Sequence, residues 1–326
     1  MTAMNVTILD DYQNAVLTLP SFAKMAGHKV TIHTDHVQGT DALVKRLQDT
    51  EALLLIRERT LITRELLERL PRLRLISQTA MVPNIDLAAC IDLGITVCSR
   101  IVPGRPSYAT AELTWGLVLA AWRRIPQEVA HLKAGGWQSP EAMGLTLRDR
   151  TLGIHGYGRI GAVVAEYGKS FGMRVIAWGR EGSLARAKVD GVEAAASEQA
   201  IFIESDVLSL HMDLNEGTRG IVRREHLAMM KPTALIVNTS RAPLIEEGAL
   251  VEALKAGRPG LAAVDVFEKE PVVGAEHPLL TLPNVIATPH LGYVERGNFD
   301  FMFDVLFEQV LSFERGEPIH VITKRN

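Results

Sequence analysis

Arg241, Glu270 and His290 are the side chains whose types and placement could do chemistry together. Each follows a short apolar run. Arg241 comes after Ile236-Val237-Asn238-Thr239-Ser240, Glu270 ends Asp265-Val266-Phe267-Glu268-Lys269-Glu270, and His290 sits in Ala287-Thr288-Pro289-His290-Leu291-Gly292. A guanidinium grips a carboxylate through a two-pronged fork. An imidazole exchanges protons near neutral pH. A carboxylate beside an imidazole fixes its tautomer and favours its charged form. An anchor for an acid, a proton exchanger and a partner for that exchanger are what hydride chemistry at C2 of a 2-hydroxy acid requires. Taken singly, each has a plain structural reading: a surface ion pair, a loop solvator, a turn cap.

A second constellation lies upstream. Gly156, Gly158 and Gly161 form G-x-G-x-x-G at the end of the apolar run Leu152–His155. Ile160, Val163, Val164, Tyr167 and Phe171 then follow at helical spacing. In a dinucleotide site the first glycine makes the tight turn, the second lets backbone approach a pyrophosphate, and the third lets helix pack on strand. The pyrophosphate then meets free N–H groups at the positive helix end. The next expected strand ends Ala177-Trp178-Gly179-Arg180, with Gly179 and Arg180 where an NAD-preferring protein commonly carries an acid. Arg180, with Arg186 and Lys188 nearby, could pair with a 2′-phosphate, which points to NADP. The competing reading keeps Arg180 in solvent and lets Glu181 supply the acid for NAD.

These residues need a scaffold that brings distant strand ends together. The first hundred residues alternate apolar runs (Val6–Leu9, Ala52–Ile56, Leu73–Ile76, Ile95–Cys98) with helical patterns (Asp41–Gln48, Arg64–Leu70, Ile85–Leu93). That rhythm predicts a mainly parallel sheet covered by helices. A turn-rich stretch, Ile101 to Ser107, reads as a hinge, and one long helix is expected from Thr110 to about Lys133. A second series supplies six further strands between Thr151 and Thr288, a whole dinucleotide-binding unit. The apolar stripe Phe299, Met302, Phe303, Leu306, Val310 and Phe313 predicts a last amphipathic helix that returns to the first domain.

Composition narrows the class. At 326 residues two domains are the default. A net charge of −3 gives no electrostatic reason to bind nucleic acid or an anionic membrane. The arginines at 57, 59, 64, 69, 72 and 74 are interleaved with Glu58, Glu65 and Glu68, a solvated mixed-charge face. Cys90 and Cys98 have no metal or disulfide spacing and read as buried small hydrophobes, and no metal site is expected. No leader-like start is seen, and the longest apolar stretch, Leu113 to Trp122, falls short of the ~20 residues that span a bilayer. A cytoplasmic enzyme is the expectation.

The segments quoted above, with Asn238 to Ile245 extending the arginine motif, resemble the D-isomer-specific 2-hydroxyacid dehydrogenase family from Leu152 to Gly292. Weaker likeness covers Asn84–Ala89 and Ala111–Thr114. The resemblance implies an α/β fold of two doubly wound parallel-sheet domains. One is a Rossmann dinucleotide-binding domain over 105–293, the other a smaller, discontinuous, flavodoxin-like substrate domain over 1–104 and 294–326. It implies that Arg241 holds the substrate carboxylate and carbonyl, that His290 exchanges the proton and that Glu270 partners it. Arg159 and Ile160 would present N–H groups to the pyrophosphate, and Asp265 would bind the nicotinamide carboxamide. Thr110, Thr239 and Gly292 would line the cofactor cleft with His211, which reads as structural. A loop at Thr79, Ala80 and Met81 would bind the substrate carboxylate through its backbone, although Ala80 stands where many relatives have glycine, and Pro83 removes a donor. Ala242 likewise replaces the glycine usual after the arginine.

The leading expectation is therefore an NADP- or NAD-dependent oxidoreductase acting on a small D-2-hydroxy or 2-keto acid. A homodimer is implied by the helix starting near Thr110, while Trp137 reads as a packed aromatic that a partner subunit could use. Two rivals stay open. A formate-type dehydrogenase would carry Gln in place of Glu270. A dinucleotide-sensing, corepressor-like interaction protein without turnover could keep all three polar residues.

Overall fold

The computed structural model describes residues 3–79, 81–100 and 108–323. Its chain divides into two compact units, Met1–Arg105 with Arg296–Asn326, and Pro106–Glu295. The expected hinge at 101–107 lies outside the described residues.

The first unit is built on five parallel strands, β1 (Asn5–Ile8), β2 (Lys29–Ile32), β3 (Ala52–Leu54), β4 (Leu75–Thr79) and β5 (Thr96–Arg100), in the order β2-β1-β3-β4-β5. Helices α1 (Thr40–Leu47), α2 (Arg64–Glu68) and α3 (Leu87–Asp92) cover one face. Their Leu43, Leu47, Leu66 and Ala89 bury against Leu53, Ile76 and Val97. Strand β2 escapes the periodicity reading because it sits at the sheet edge, where its burial alternates between exposed and half-buried.

The second unit opens with α4 (Tyr108–Trp122) and α5 (Ile125–Lys133). The single long helix expected here is two helices. Arg124 takes a left-handed φ of 54°, and Pro126, which has no N–H to continue the ladder, lies in the first turn of α5. Then follow β6 (Thr151–His155), α6 (Arg159–Ser170), β7 (Arg174–Trp178), α7 (Glu181–Val189), β8 (Glu193–Ala194), α8 (Glu198–Glu204), β9 (Val207–Leu210), α9 (Arg224–Met229), β10 (Leu235–Asn238), α10 (Ala249–Lys255), β11 (Leu261–Val264) and β12 (Val285–Ala287). All seven strands are parallel, in the order β12-β11-β10-β9-β6-β7-β8. The strand beyond the six expected is the two-residue β8, too short to carry a periodic signal.

Alternate residues of these strands feed two cores, as a sheet covered on both faces demands. Leu152, Ile154, Leu235 and Val237 pack with Trp115, Val118 and Val164 on one face. Ile176, Leu208, Leu210 and Ile236 pack with Phe202, Leu227 and Leu250 on the other. The chain reverses strand order at β6 and β9, the place where open α/β sheets bind ligands.

The last helix, α11 (Arg296–Glu314), packs on β4 and on the 3-10 segment Pro20–Met25 of the first unit. Phe22 meets Phe307 edge-on at 6.1 Å, and buried Ser77 donates to Gln309 Oε1 at 2.6 Å. Among the described residues no helix is long and apolar enough to cross a membrane.

Candidate active site

Strand β6 runs straight into the glycine loop. Gly156 has φ +100°, and a Cβ there would lie 2.8 Å from the His211 main-chain carbonyl. Its N–H donates to Trp178 O, which ties the loop to the end of β7. A Cβ on Gly161 would sit 2.5 Å from Gly156 O, so the third glycine is required by close packing. Gly158 differs, because a Cβ there would meet nothing within 4 Å. No packing inside the protein demands that glycine, whereas an incoming pyrophosphate would. The first helical bond of α6 is Ala162 N–H to Gly158 O. The N–H groups of Arg159, Ile160 and Gly161 precede it, where helix geometry provides no intrahelical acceptor and an anion is welcome. The loop thus fits a dinucleotide.

A cleft of about 590 Å³ extends from Gly156 and Gly158 past Gly179 to Arg180, Arg186 and His211. Arg180 is exposed and precedes α7. Arg186 Nη2 and Ser183 Oγ both donate to Tyr157 O, at 3.1 and 2.8 Å, and so brace the glycine loop from outside. His211 contacts Ser209 Oγ through Nε2 at 2.8 Å, and its Nδ1 is shut off from water without a partner. Burial pulls its pKa down to about 4, so the ring is neutral at pH 7.

The candidate catalytic residues come from three neighbouring strand ends. After β10, Asn238 folds the loop back: Ser240 N–H donates to its Oδ1 at 3.1 Å, and its Nδ2 donates to Arg241 O at 2.9 Å. Arg241, half-buried, donates through Nη1 to Ser240 O at 2.7 Å and begins the 3-10 turn Ala242–Leu244. Ala242 is buried in that turn and has no left-handed φ, so glycine is not needed there. After β11, Glu270 Oε1 accepts the Phe267 N–H at 2.8 Å. After β12, His290 takes a left-handed φ of 53°, which turns its imidazole back toward β11. His290 Nδ1 and Glu270 Oε2 are 2.5 Å apart. With the carboxylate on Nδ1, that nitrogen carries the proton and Nε2 is the ring nitrogen left open. Arg241 stands one strand over, and among the described residues its guanidinium hydrogen-bonds Ser240 O rather than either of the other two.

Asp265 is fully buried and clamps the histidine loop. Its Oδ1 accepts from Thr288 Oγ1 at 2.6 Å and Leu291 N–H at 2.7 Å, and its Oδ2 from Gly292 N–H at 2.8 Å. Burial pushes this carboxyl above the usual carboxylate range, while the three hydrogen bonds pull the other way. The sequence reading gave Asp265 a carboxamide ligand and missed the clamp. Thr110 Oγ1 donates to Gly292 O at 2.8 Å, and a Cβ on Gly292 would lie 3.2 Å from Asp265 Oδ2. Thr239 shares a 2.8 Å hydroxyl contact with Thr114, another residue the sequence reading passed over. Tyr293 stands edge-on to His290 at 5.4 Å.

In the first unit, Thr79 is buried at the end of β4 and Met81 is largely exposed, while Ala80 lies outside the described residues. Gln78 Nε2 donates to Met81 O at 2.8 Å and pins the loop. Cys90 and Cys98 are buried and unpaired, and burial pushes both thiols up to about 11. Among the described residues no group of three His, Cys, Asp or Glu side chains could hold a metal ion. Trp137, expected to be packed, is 78% exposed.

Residues 115–292 match the family model described as D-isomer specific 2-hydroxyacid dehydrogenase, NAD binding domain. The chain is 40% identical over 278 residues to D-3-phosphoglycerate dehydrogenase of Methanocaldococcus jannaschii, covering 85% of this chain but about half (52%) of that longer protein. It is 38% identical to glyoxylate reductase of Aeropyrum pernix, across 85% of this chain and 84% of the relative. Among solved structures, phosphoglycerate oxidoreductase from Vibrio cholerae superposes with a TM-score of 0.91 at 47% identity, covering 96% and 99% of the two chains. The glycine loop, the strand-end trio and these likenesses agree: the chain belongs to the D-isomer specific 2-hydroxyacid dehydrogenase family of oxidoreductases.

Proposed function

We propose that the protein reduces a small 2-keto acid to the D-2-hydroxy acid, and runs the reverse oxidation, with a nicotinamide dinucleotide. The observation that carries this reading is the 2.5 Å contact of Glu270 with His290 Nδ1, which leaves Nε2 as the proton-exchanging atom. The bound nicotinamide supplies or accepts the hydride. His290 Nε2 gives a proton to the substrate oxygen in reduction and takes it back in oxidation. Glu270 holds the imidazole in that tautomer and stabilises its charged form. Arg241 supplies the cation for the substrate carboxylate and for charge developing on the C2 oxygen. Unit Pro106–Glu295 is the dinucleotide-binding domain on this reading. The first unit is the substrate domain on the same reading.

Finer assignments rest on single features. NADP(H) is the favoured cofactor, because Gly179 leaves no carboxylate at the end of β7, and Arg180 borders the cleft. A homodimer is supported by the exposed apolar side chains Ile125, Val129 and Leu132 of α5, with Trp137 just beyond. A cytoplasmic location accords with two unpaired, buried cysteines. Relatives are named glyoxylate reductase, hydroxypyruvate reductase and D-3-phosphoglycerate dehydrogenase, so their 2-keto acids head the panel to be tried. The test is turnover of glyoxylate, hydroxypyruvate, pyruvate and phosphohydroxypyruvate with NADPH and with NADH, followed by nicotinamide absorbance. Reduction of at least one is expected. Tight cofactor binding with no turnover of any would replace the enzyme reading with that of a dinucleotide sensor.

A further inference from the structure

We infer that His277 is a positioning residue for the Glu270–His290 pair, an inference that rests on the function proposed above. His277 stands at the head of the 3-10 turn Pro278–Thr281, where its Nδ1 accepts the Leu279 N–H at 3.3 Å. Because Nδ1 accepts, the proton lies on Nε2, and Nε2 donates to Glu268 Oε2 at 2.9 Å. The ring also meets Phe267 edge-on, with centroids 4.9 Å apart.

One of those neighbours, Phe267, also holds Glu270. The Phe267 N–H donates to Glu270 Oε1, while Glu270 Oε2 faces His290. The catalytic carboxylate is therefore suspended between its own turn and the imidazole it orients. One ring, that of His277, fixes Phe267 by packing and Glu268 by hydrogen bonding. A displacement of that turn moves the Phe267 N–H and with it the carboxylate. The Glu268 side chain is 48% exposed, and a contact so open to water contributes little to folding. The contact's worth thus lies in orientation, and small misplacements of a reacting group are costly in rate.

Two substitutions separate the roles of the ring. Asn at 277 can cap Leu279 but cannot reach Glu268; Gln can reach Glu268 but caps poorly. His277→Asn is expected to lower kcat about tenfold, the low end for loss of a partner that orients a functional group. KM for keto acid and cofactor should change by no more than about twofold, the sign of an interaction that acts on turnover rather than on binding. His277→Gln, which keeps the Glu268 contact but loses the ring against Phe267, should retain more of kcat than His277→Asn and lose some thermal stability. Glu268→Ala, at an exposed position, breaks the same contact from the other side and should reproduce the kcat loss. In a Glu270→Gln background the His277→Asn substitution should cost nothing further, because its effect passes through that carboxylate. Wild-type kcat in both His277→Asn and Glu268→Ala, or losses that multiply with Glu270→Gln, overturns the inference and leaves the function standing. Normal turnover in Glu270→Gln or His290→Gln instead removes the function on which it rests.

Discussion

The glycine loop and the histidine loop stand at opposite limits of how a site is built. The first works through main-chain geometry within one stretch of chain, Gly156 to Gly161, and its demands are steric. The second works through side chains 20 and 29 residues apart in sequence, since 290 − 270 = 20 and 270 − 241 = 29, each beyond a different strand end. It is held by residues outside that trio: Asp265 on both sides of His290, Asn238 around Arg241, Phe267 behind Glu270. A loop of the first kind fails when it is filled; a loop of the second kind fails when it drifts.

That contrast yields its largest effect at the reacting groups. His290→Gln and Arg241→Ala should each lower kcat/KM by ~10²-fold or more, the scale for losing a general acid or a charge-stabilising donor. Steady-state kinetics with the best keto acid checks this, and cofactor affinity should be unchanged in both. A histidine variant that bound cofactor poorly would mean the two loops are not independent.

A second effect comes from the buried imidazole at the foot of the glycine loop. His155 is 1% exposed, and burial lowers its pKa from 6.5 to about 4. The unfolded chain therefore binds a proton that the folded chain refuses between pH 6.5 and about 4. Stability is full above the upper value and falls as pH drops through this window, by up to ~3 kcal/mol from this group. His211, lowered by burial to about 4, adds a drop of the same sign. Urea denaturation from pH 7 to pH 4.5 should show the slope, and His155→Leu should flatten part of it. An unchanged slope in that variant would assign the acid sensitivity elsewhere.

The glycines themselves sharpen the comparison, since two of them should fail in opposite ways. Gly161→Ala places a methyl 2.5 Å from Gly156 O, and should cost about 1–3 kcal/mol of stability by overpacking. Gly158→Ala meets no protein atom within 4 Å, so its melting temperature should stay near wild type while dinucleotide affinity falls. Calorimetry and cofactor titration on the pair distinguish a packing glycine from a ligand-facing one. Loss of stability in both would mean that Gly158 is also structural.

How much of this could be read beforehand follows the same division. The glycine loop was legible because spacing within a few residues encodes its geometry. Strands with both faces buried, such as Val207–Leu210, announce themselves as apolar runs. The edge strand Lys29–Ile32 and the two-residue Glu193–Ala194 do not, because neither has enough buried positions to set a pattern. The break at Arg124 carried one signal, Pro126, which is compatible with either a kink or a new first turn. The types of Arg241, Glu270 and His290 suggested chemistry, but the clamp by Asp265 and the contacts of His277 with Phe267 and Glu268 are tertiary facts. No local spacing links Asp265 to Leu291, 26 residues on, as 291 − 265 = 26.

The smallest effect tests where the glycine loop ends and side-chain recognition begins. Arg180 borders the same cleft as Gly158 but is exposed and works through charge. A guanidinium hydrogen-bonded to a phosphate contributes about 1.5–3 kcal/mol, discounted here because water screens an exposed cation. Arg180→Ala should therefore lower kcat/KM with NADPH by about tenfold and leave the value with NADH nearly unchanged, an effect that shrinks as salt rises. Arg186 is expected to respond differently. Its guanidinium also braces Tyr157 O, so Arg186→Ala should weaken both cofactors and lose little selectivity. If Arg180→Ala slowed NADH and NADPH alike, its role would be general attraction of anions. The cofactor preference would then have to come from the pocket's shape around Gly179 rather than from its charge.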